Sequence, residues 1–403
     1  MPIAPYIYST MNSRMSSVIR RMFEEGAILK KKYGEDAVFD FSIGNPDLEP
    51  PKGVVKAIEE TAALRVTGSH GYMPNAGYPE TRSAMAQKVG REQGAALAAQ
   101  NVVMTAGAAA ALTCVLKAIL SPGDEVIVSA PFFPEYAHYA ANHRGVLKPV
   151  SARPDFSLDI AAIGDALSEK TACVLINSPN NPSGKVYSQE DIIALAETLT
   201  AHGKKTGRLP YLVCDEPYRD IVYGGKKVAA VFPHYSAAAV VSSFAKNLSI
   251  PGERIGYIAA NPAMSDRDDF IAACIFANRI LGFVNAPAFF QRVVAASWDS
   301  PVDYSLYTER RNMLMAVLDK AGYEYAVPEG AFYLFVKVPA KKGFAQGLAD
   351  DMGFCDHLKS HLALCAPGAG FGCPGWFRMA YCVSKKTIEH CGGALQKARE
   401  AWQ

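Results

Sequence analysis

No stretch of about eighteen consecutive apolar residues occurs in this 403-residue chain, so the sequence offers no candidate for a membrane-crossing helix. The N-terminal run MPIAPYIYST lacks the basic start and apolar core of a secretory leader. Charge of one sign is missing as well: 41 Lys and Arg face 39 Asp and Glu, a net charge of +2. That balance leaves no basic footprint for nucleic acid or an anionic membrane. The nine cysteines include no Cys-x-x-Cys pair, and an odd number does not suit a disulfide framework. Reduced thiols in a cytoplasmic protein are the expectation. Nothing in the histidine, cysteine and carboxylate spacing is read as a metal site.

What is present is an ordinary globular composition, 50% hydrophobic and 20% charged, in a chain long enough for two or three domains. Small-molecule chemistry is the reading this favours. From residue 100 short apolar runs alternate with helical stretches. NVVMTAG reads as a strand that reaches a turn at Gly107, AAAALTCVLKAIL as an Ala-rich helix, and PGDEVIVSAPFF as a turn feeding a second strand. Further strands are read in ACVLINSPNNP, YLVCDEPY, AVVSSFAK and RIGYIAA, with the helix QEDIIALAETLTAHG among them. Such alternation predicts an α/β fold with a mostly parallel sheet covered by helices on both faces.

The two ends read differently. Residues 285–322 look like one long helix, and GAFYLFVKV and FRMAYCV read as strands beside helices, an α+β arrangement. The expected division is an N-terminal arm and part of a small domain at 1–47, a large domain at 48–299, and the rest of the small domain at 300–403. No internal repeat or low-complexity segment is found.

In open parallel sheets ligands bind beyond the carboxyl ends of the strands. Following each predicted strand gives Gly107, Ala108 and Ala109, then Phe133, then Asn181, then Asp215 and Tyr218, then Ser243 and Lys246. Small residues at a helix start let an anion approach unpaired N–H groups, and Arg254 adds a charged fork. Taken singly, each residue has a plainer explanation: a lone aspartate is more often an ion-pair partner or cap, and a lone lysine a solvated surface residue. A buried Asp215 nevertheless requires a cationic partner. A desolvated Lys246 near other cations would be a nucleophilic amine.

One cofactor uses all of these groups, pyridoxal 5′-phosphate. The ordered series GYMPNAGYPE, TAGAAAAL, NSPNNPSG, DEPY and SFAKNLSIPGERIGY, ending in a late arginine in FRMAYCV, resembles the class I and II aminotransferases of fold type I over nearly the whole chain. The resemblance implies that Lys246 forms the Schiff base and that Asp215 partners the pyridine nitrogen. Asn181 and Tyr218 would bond the ring hydroxyl, and Phe133 would stack on the ring. Gly107, Ala108, Ala109, Ser243 and Arg254 would hold the phosphate, joined by Tyr72 from a second subunit, so that a homodimer with shared sites is implied. Arg378 would bind the substrate α-carboxylate, with Gly44 and Asn181 beside it, and Lys246, Asp215 and Tyr218 would carry catalysis.

The implied reaction moves an amino group from an L-amino acid to a 2-oxo acid by a ping-pong mechanism. A carbon–sulfur β-lyase on the same cofactor is the alternative, and a non-catalytic cofactor-binding regulator a distant one. For the substrate side chain two expectations stand open. Arg279 would bind a distal carboxylate across the dimer interface, while Tyr6 and Tyr8 of the N-terminal arm would instead line an apolar pocket. GAGFGCPG at 368–375 has the look of a dinucleotide fingerprint, but Cys373 replaces its third glycine. It is read as a turn leading to the strand of Arg378.

Overall fold

The computed structural model describes residues 3–12, 18–340 and 350–402. In chain order its strands are β1 (Phe39–Asp40), β2 (Val102–Thr105), β3 (Glu125–Ala130), β4 (Val146–Ser151), β5 (Thr171–Asn177), β6 (Tyr211–Asp215), β7 (Ala238–Ser243) and β8 (Gly256–Ala260). They are followed by β9 (Tyr325–Ala326), β10 (Tyr333–Lys337), β11 (Ala363–Leu364), β12 (Ala366–Pro367) and β13 (Trp376–Ala380). Seven strands join in the order β2-β8-β7-β6-β5-β3-β4. All neighbours are parallel except β8, which runs antiparallel to both β2 and β7.

Alternate residues of each strand face two separate cores, which is why the inner strands read as unbroken apolar runs. Met104, Ile127, Val174, Leu212 and Val240 pack on one face with helices such as Pro79–Gln93 and Gln189–Thr206. Val103, Val126, Cys173, Val213 and Val241 pack on the other with Gly107–Ile119 and Arg267–Ile280. The expected α/β architecture is therefore what the chain adopts.

Two details differ from the sequence reading. β4 was not foreseen: it is an edge strand with one buried residue, Val150, and carries Lys148 and Pro149, so it lacks the apolar signal of its neighbours. The long helix expected over 285–322 is two helices, Ala288–Ser297 and Ser305–Ala321. Asp299, Ser300 and Pro301 lie between them, and proline disfavours helical geometry in the residue before it.

The chain ends build a smaller sheet in the order β12-β13-β10-β9, and β1 pairs in parallel with β11. Their core includes Phe41, Leu334, Phe354, Phe377 and Leu395. The Ala380 amide donates to the Phe41 carbonyl at 2.9 Å, which ties the segment leading to Gly44 against the strand of Arg378. No helix among the described residues is long and apolar enough to cross a membrane.

Candidate active site

The carboxyl ends of β5, β6 and β7 open onto a cavity of about 320 Å³. Gly44, Ala108, Ala109, Phe133, Asn181 and Asp215 line it, and so do Tyr218, Ser243, Lys246, Arg254 and Arg378. Eleven of the sixteen residues singled out from the sequence thus line one space.

Lys246 stands in the turn after β7, where the buried strand gives out. Its Nζ donates to the Gly44 carbonyl at 2.9 Å and lies 5.4 Å from the centre of the Phe332 ring. Burial lowers its pKa to about 8, helped by the positive charges of Arg378 and Arg254 and opposed by Cys382. A buried ammonium beside other cations gives up its proton more readily than one in water, so the neutral, nucleophilic amine is accessible near physiological pH.

Asp215 ends β6. Its Oδ2 accepts from the Tyr136 hydroxyl at 2.6 Å, while Oδ1 is buried with no partner. Burial drives its pKa up to about 7, against the lowering effect of the Tyr136 bond. The half-satisfied carboxylate is held in place by the backbone: Asn177 Nδ2 donates to the Asp215 carbonyl at 2.8 Å, and Asn177 Oδ1 accepts from the Asn181 amide at 2.7 Å. One asparagine thereby fixes both Asp215 and Asn181.

Arg378 projects from β13 and is only 3% exposed. It donates to Asn181 Oδ1 at 3.0 Å and to the Ser42 carbonyl at 2.7 Å, and its Nε is buried without a partner. The guanidinium lies 4.6 Å from the Tyr333 ring centre and 4.9 Å from that of Phe371. Tyr333 in turn sits 2.8 Å, hydroxyl to hydroxyl, from Tyr218. Gly44 is required here because a Cβ would overlap the Tyr333 hydroxyl.

On the opposite wall the helix Gly107–Ile119 points its N-terminus at the cavity through Ala108 and Ala109. Gly107 has φ +83°, and a Cβ there would come within 2.9 Å of Arg254 Nη2. Arg254 itself adopts φ 50°, rare for a residue with a side chain, and donates to the Pro251 carbonyl at 2.8 Å. Helix N–H groups, small side chains and a guanidinium together make an anion cradle.

Five expected residues do not line the cavity. Gly107 lies just behind it against Arg254. Tyr72 is 96% exposed and borders a different hollow with Met73, Phe283 and Asn285. Arg279 is exposed at the end of its helix, its guanidinium 5.5 Å from the Phe276 ring centre. Tyr6 and Tyr8 are exposed too and stand outside the lining, although the Tyr6 hydroxyl is 3.3 Å from His138 Nδ1. The glycine-rich 368–375 segment is a turn into β13, as expected.

The sequence reading missed Tyr136, Tyr333 and Glu135. Nothing separates Tyr136 or Tyr333 from core aromatics in the sequence, since their roles arise from contacts 79 and 115 residues away. It also passed over His357 and His361, four apart on the helix Asp351–Ser360 and its end, with ring centres 4.8 Å apart. No third ligand joins them: no group of three or more potential metal ligands occurs among the described residues.

A sequence model of the family described as "Aminotransferase class I and II" matches residues 36–395. An aspartate aminotransferase of Thermotoga maritima is 31% identical over 93% of this chain and 93% of its own. A probable aspartate/prephenate aminotransferase of Aquifex aeolicus is 30% identical over 90% of this chain and 91% of its own. A crystal structure of an aminotransferase from Eubacterium rectale superposes with a TM-score of 0.93 at 37% identity, covering 100% of both chains.

Proposed function

This chain belongs to the class I and II aminotransferases and is an enzyme that passes an amino group from an amino acid to a 2-oxo acid; we propose that it does so in the cavity around Lys246, on pyridoxal 5′-phosphate, the cofactor that family uses. The observation that carries this reading is the shared occupancy of one 320 Å³ space by a lysine with a lowered pKa and a buried aspartate with an unpartnered oxygen.

The residues suit that cofactor. Asp215 Oδ1 lacks a hydrogen-bond donor, and a protonated pyridine nitrogen is one that also neutralises the carboxylate. The helix N-terminus at Gly107, Ala108 and Ala109, with Ser243 and Arg254, suits a phosphate. Asn181 and Tyr218 bring an amide and a phenol to the lining, groups suited to bond a ring hydroxyl, and Phe133 offers a ring face. When bound, pyridoxal 5′-phosphate supplies an aldehyde for amine condensation and a cationic ring that accepts the electron pair of a broken Cα–H bond.

The chain's own contribution is assigned as follows. Arg378 binds the substrate α-carboxylate through its guanidinium fork, with Asn181 and the Gly44 backbone beside it. Lys246 would be the base that takes the substrate Cα proton and returns it two atoms along, to the carbon on the far side of the substrate nitrogen. Asp215 keeps the ring nitrogen protonated throughout. Tyr218, held by Tyr333, orients the ring hydroxyl. Two half-reactions through one site give ping-pong kinetics.

The assembly proposed is a homodimer. Tyr72 would complete the phosphate site of the partner, and the exposed Phe276, Ile280 and Phe283 form apolar surface suited to burial between subunits. Arg279 could meet a substrate only across that interface. In this division residues 48–299 hold the cofactor, while 1–47 and 300–403 form the smaller unit that brings Arg378 to it. All nine cysteines are free thiols, in keeping with a cytoplasmic enzyme.

Reconstituted protein should absorb in the visible, and borohydride should fix the cofactor on the peptide that contains Lys246. Fixation on any other lysine overturns the assignment.

A further inference from the structure

One charged group in the cavity has no part in the scheme above. Glu135 occupies the first turn of the helix Glu135–Asn142 and lines the cavity between Phe133 and Tyr139. Its Oε2 is shielded from water and has no hydrogen-bond partner. Burial raises its pKa, and a hydrogen bond from its own backbone N–H, with the nearby charges of Arg378 and His138, works against that rise. Glu135 shares that lining with Tyr139, Tyr333 and Arg378, the residue assigned above to the substrate carboxylate.

We propose that Glu135 determines substrate specificity by accepting a hydrogen bond from the side chain of the amino acid, so that the enzyme selects L-amino acids ending in an amide or ammonium nitrogen over those ending in a carboxylate. The inference rests on the cofactor and Arg378 assignments just made and deepens them. A buried carboxylate oxygen without a donor is costly, and a substrate that brings an N–H satisfies it, whereas a second carboxylate meets like charge.

The cations of the cavity support the same choice. Lys246, Arg254 and Arg378 are the cationic side chains of its lining, and the scheme already commits each of them. Arg279 lies outside the cavity. Within the chain described, a distal carboxylate therefore has no partner, while a distal nitrogen has Glu135.

The plainer alternative is that Glu135 merely stabilises the helix it begins, as an acidic residue at an N-terminus does. Glutamine and glutamate separate the two ideas, because they share every atom position except the side-chain terminus. Bleaching of the visible cofactor band in single turnover should be faster with glutamine than with glutamate in the wild-type enzyme by roughly tenfold or more, the range expected for a charged hydrogen bond. In Glu135→Gln, whose amide donates as well as accepts, that ratio should fall by roughly ten- to hundredfold. Glu135→Leu should fall as well. Equilibrium binding of α-methylglutamine and α-methylglutamate, which have no Cα proton to lose, should show the same change of preference without turnover.

A merely structural Glu135 would lower the melting temperature and leave the ratio alone. An unchanged ratio in Glu135→Gln overturns the inference, as does a wild-type preference for glutamate, which would assign the distal site to Arg279 of a second copy. If no amino acid bleaches the band, the premise itself fails and takes the inference with it, a result distinguishable from an unaltered preference.

Discussion

The Tyr136 hydroxyl donates a 2.6 Å hydrogen bond to Asp215 Oδ2, and this is the only partner that the buried carboxylate has among the described side chains. The bond settles one oxygen and leaves the other buried without a partner. It also holds the Asp215 pKa below where burial alone would put it. Without it the carboxyl would carry its charge over a narrower range of pH.

Loss of Tyr136 should therefore be read in cofactor binding. Asp215 is ionised above about pH 7 in the free protein and neutral below it, so cofactor affinity should decline as pH falls through that region. In Tyr136→Phe the carboxyl loses its donor and its pKa rises further, so the decline should begin at higher pH. Titration of cofactor binding against pH in both proteins checks this. A Tyr136→Phe profile superimposable on the wild type would remove Tyr136 from the site.

The same carboxylate has a consequence for stability. Its folded pKa of about 7 lies above the ordinary 3.8, so ionising it in the cofactor-free fold costs stability. The penalty is absent below about pH 4, grows from there to about pH 7 and is constant above. Asp215→Asn removes the charge and keeps an acceptor for Tyr136. The cofactor-free variant should thus be more stable than wild type at pH 8 by roughly 2–4 kcal/mol and equal to it near pH 4, in thermal or denaturant unfolding. Its turnover should fall by orders of magnitude, because a neutral amide does not keep a ring nitrogen protonated.

Lys246 is expected to show its lowered pKa in the rate at which it captures the cofactor. Only the neutral amine attacks an aldehyde, and in this environment it predominates above about pH 8 instead of above the ordinary 10.5. Stopped-flow formation of the visible band should rise with pH, pass half its maximum near 8 and level off about one unit above that. A rate still climbing at pH 10 would mean an exposed lysine is reacting.

How far the site was legible in the sequence follows from where each signal resides. Asp215 ends a strand and Lys246 stands three residues past the end of another, both strands buried or nearly so at every residue, and an apolar run that gives out at a charged residue is visible without coordinates. Arg378 was legible only through the resemblance, since it is buried in the middle of β13 and its partners, Asn181 and Ser42, lie 197 and 336 residues away. Tyr136 was not legible, because a tyrosine on a short helix looks the same whether it packs or donates. The direction of β8 was not either: a strand buried on both faces carries no mark of which way it runs. β4 escaped because an edge strand with one buried residue has no apolar pattern to detect.

Arg378→Lys tests the fork. Lysine keeps the charge but loses the planar pair of donors, and with it the bonds to Asn181 Oδ1 and the Ser42 carbonyl. Every amino-acid substrate shares the α-carboxylate, so KM should rise for all of them by a similar factor, on the order of tenfold or more. A steady-state panel of unlike amino acids checks the uniformity. Weakening confined to one side-chain class would place Arg378 at the distal end of the substrate instead.

The last prediction tests the role proposed for Tyr72, which is 96% exposed and does not line the cavity of its own chain. In a symmetric dimer each site would combine Lys246 of one chain with Tyr72 of the other. A dimer of a Tyr72→Ala chain with a Lys246→Ala chain then has one site carrying both changes and one carrying neither. Co-expressed in equal amounts, the two variants pair at random, half the dimers are mixed, and one site in each is intact, so about a quarter of wild-type activity should return. Either variant alone should remain strongly impaired. If Tyr72 acted within its own chain, mixing could create no intact site, and activity would stay at the average of the two parents.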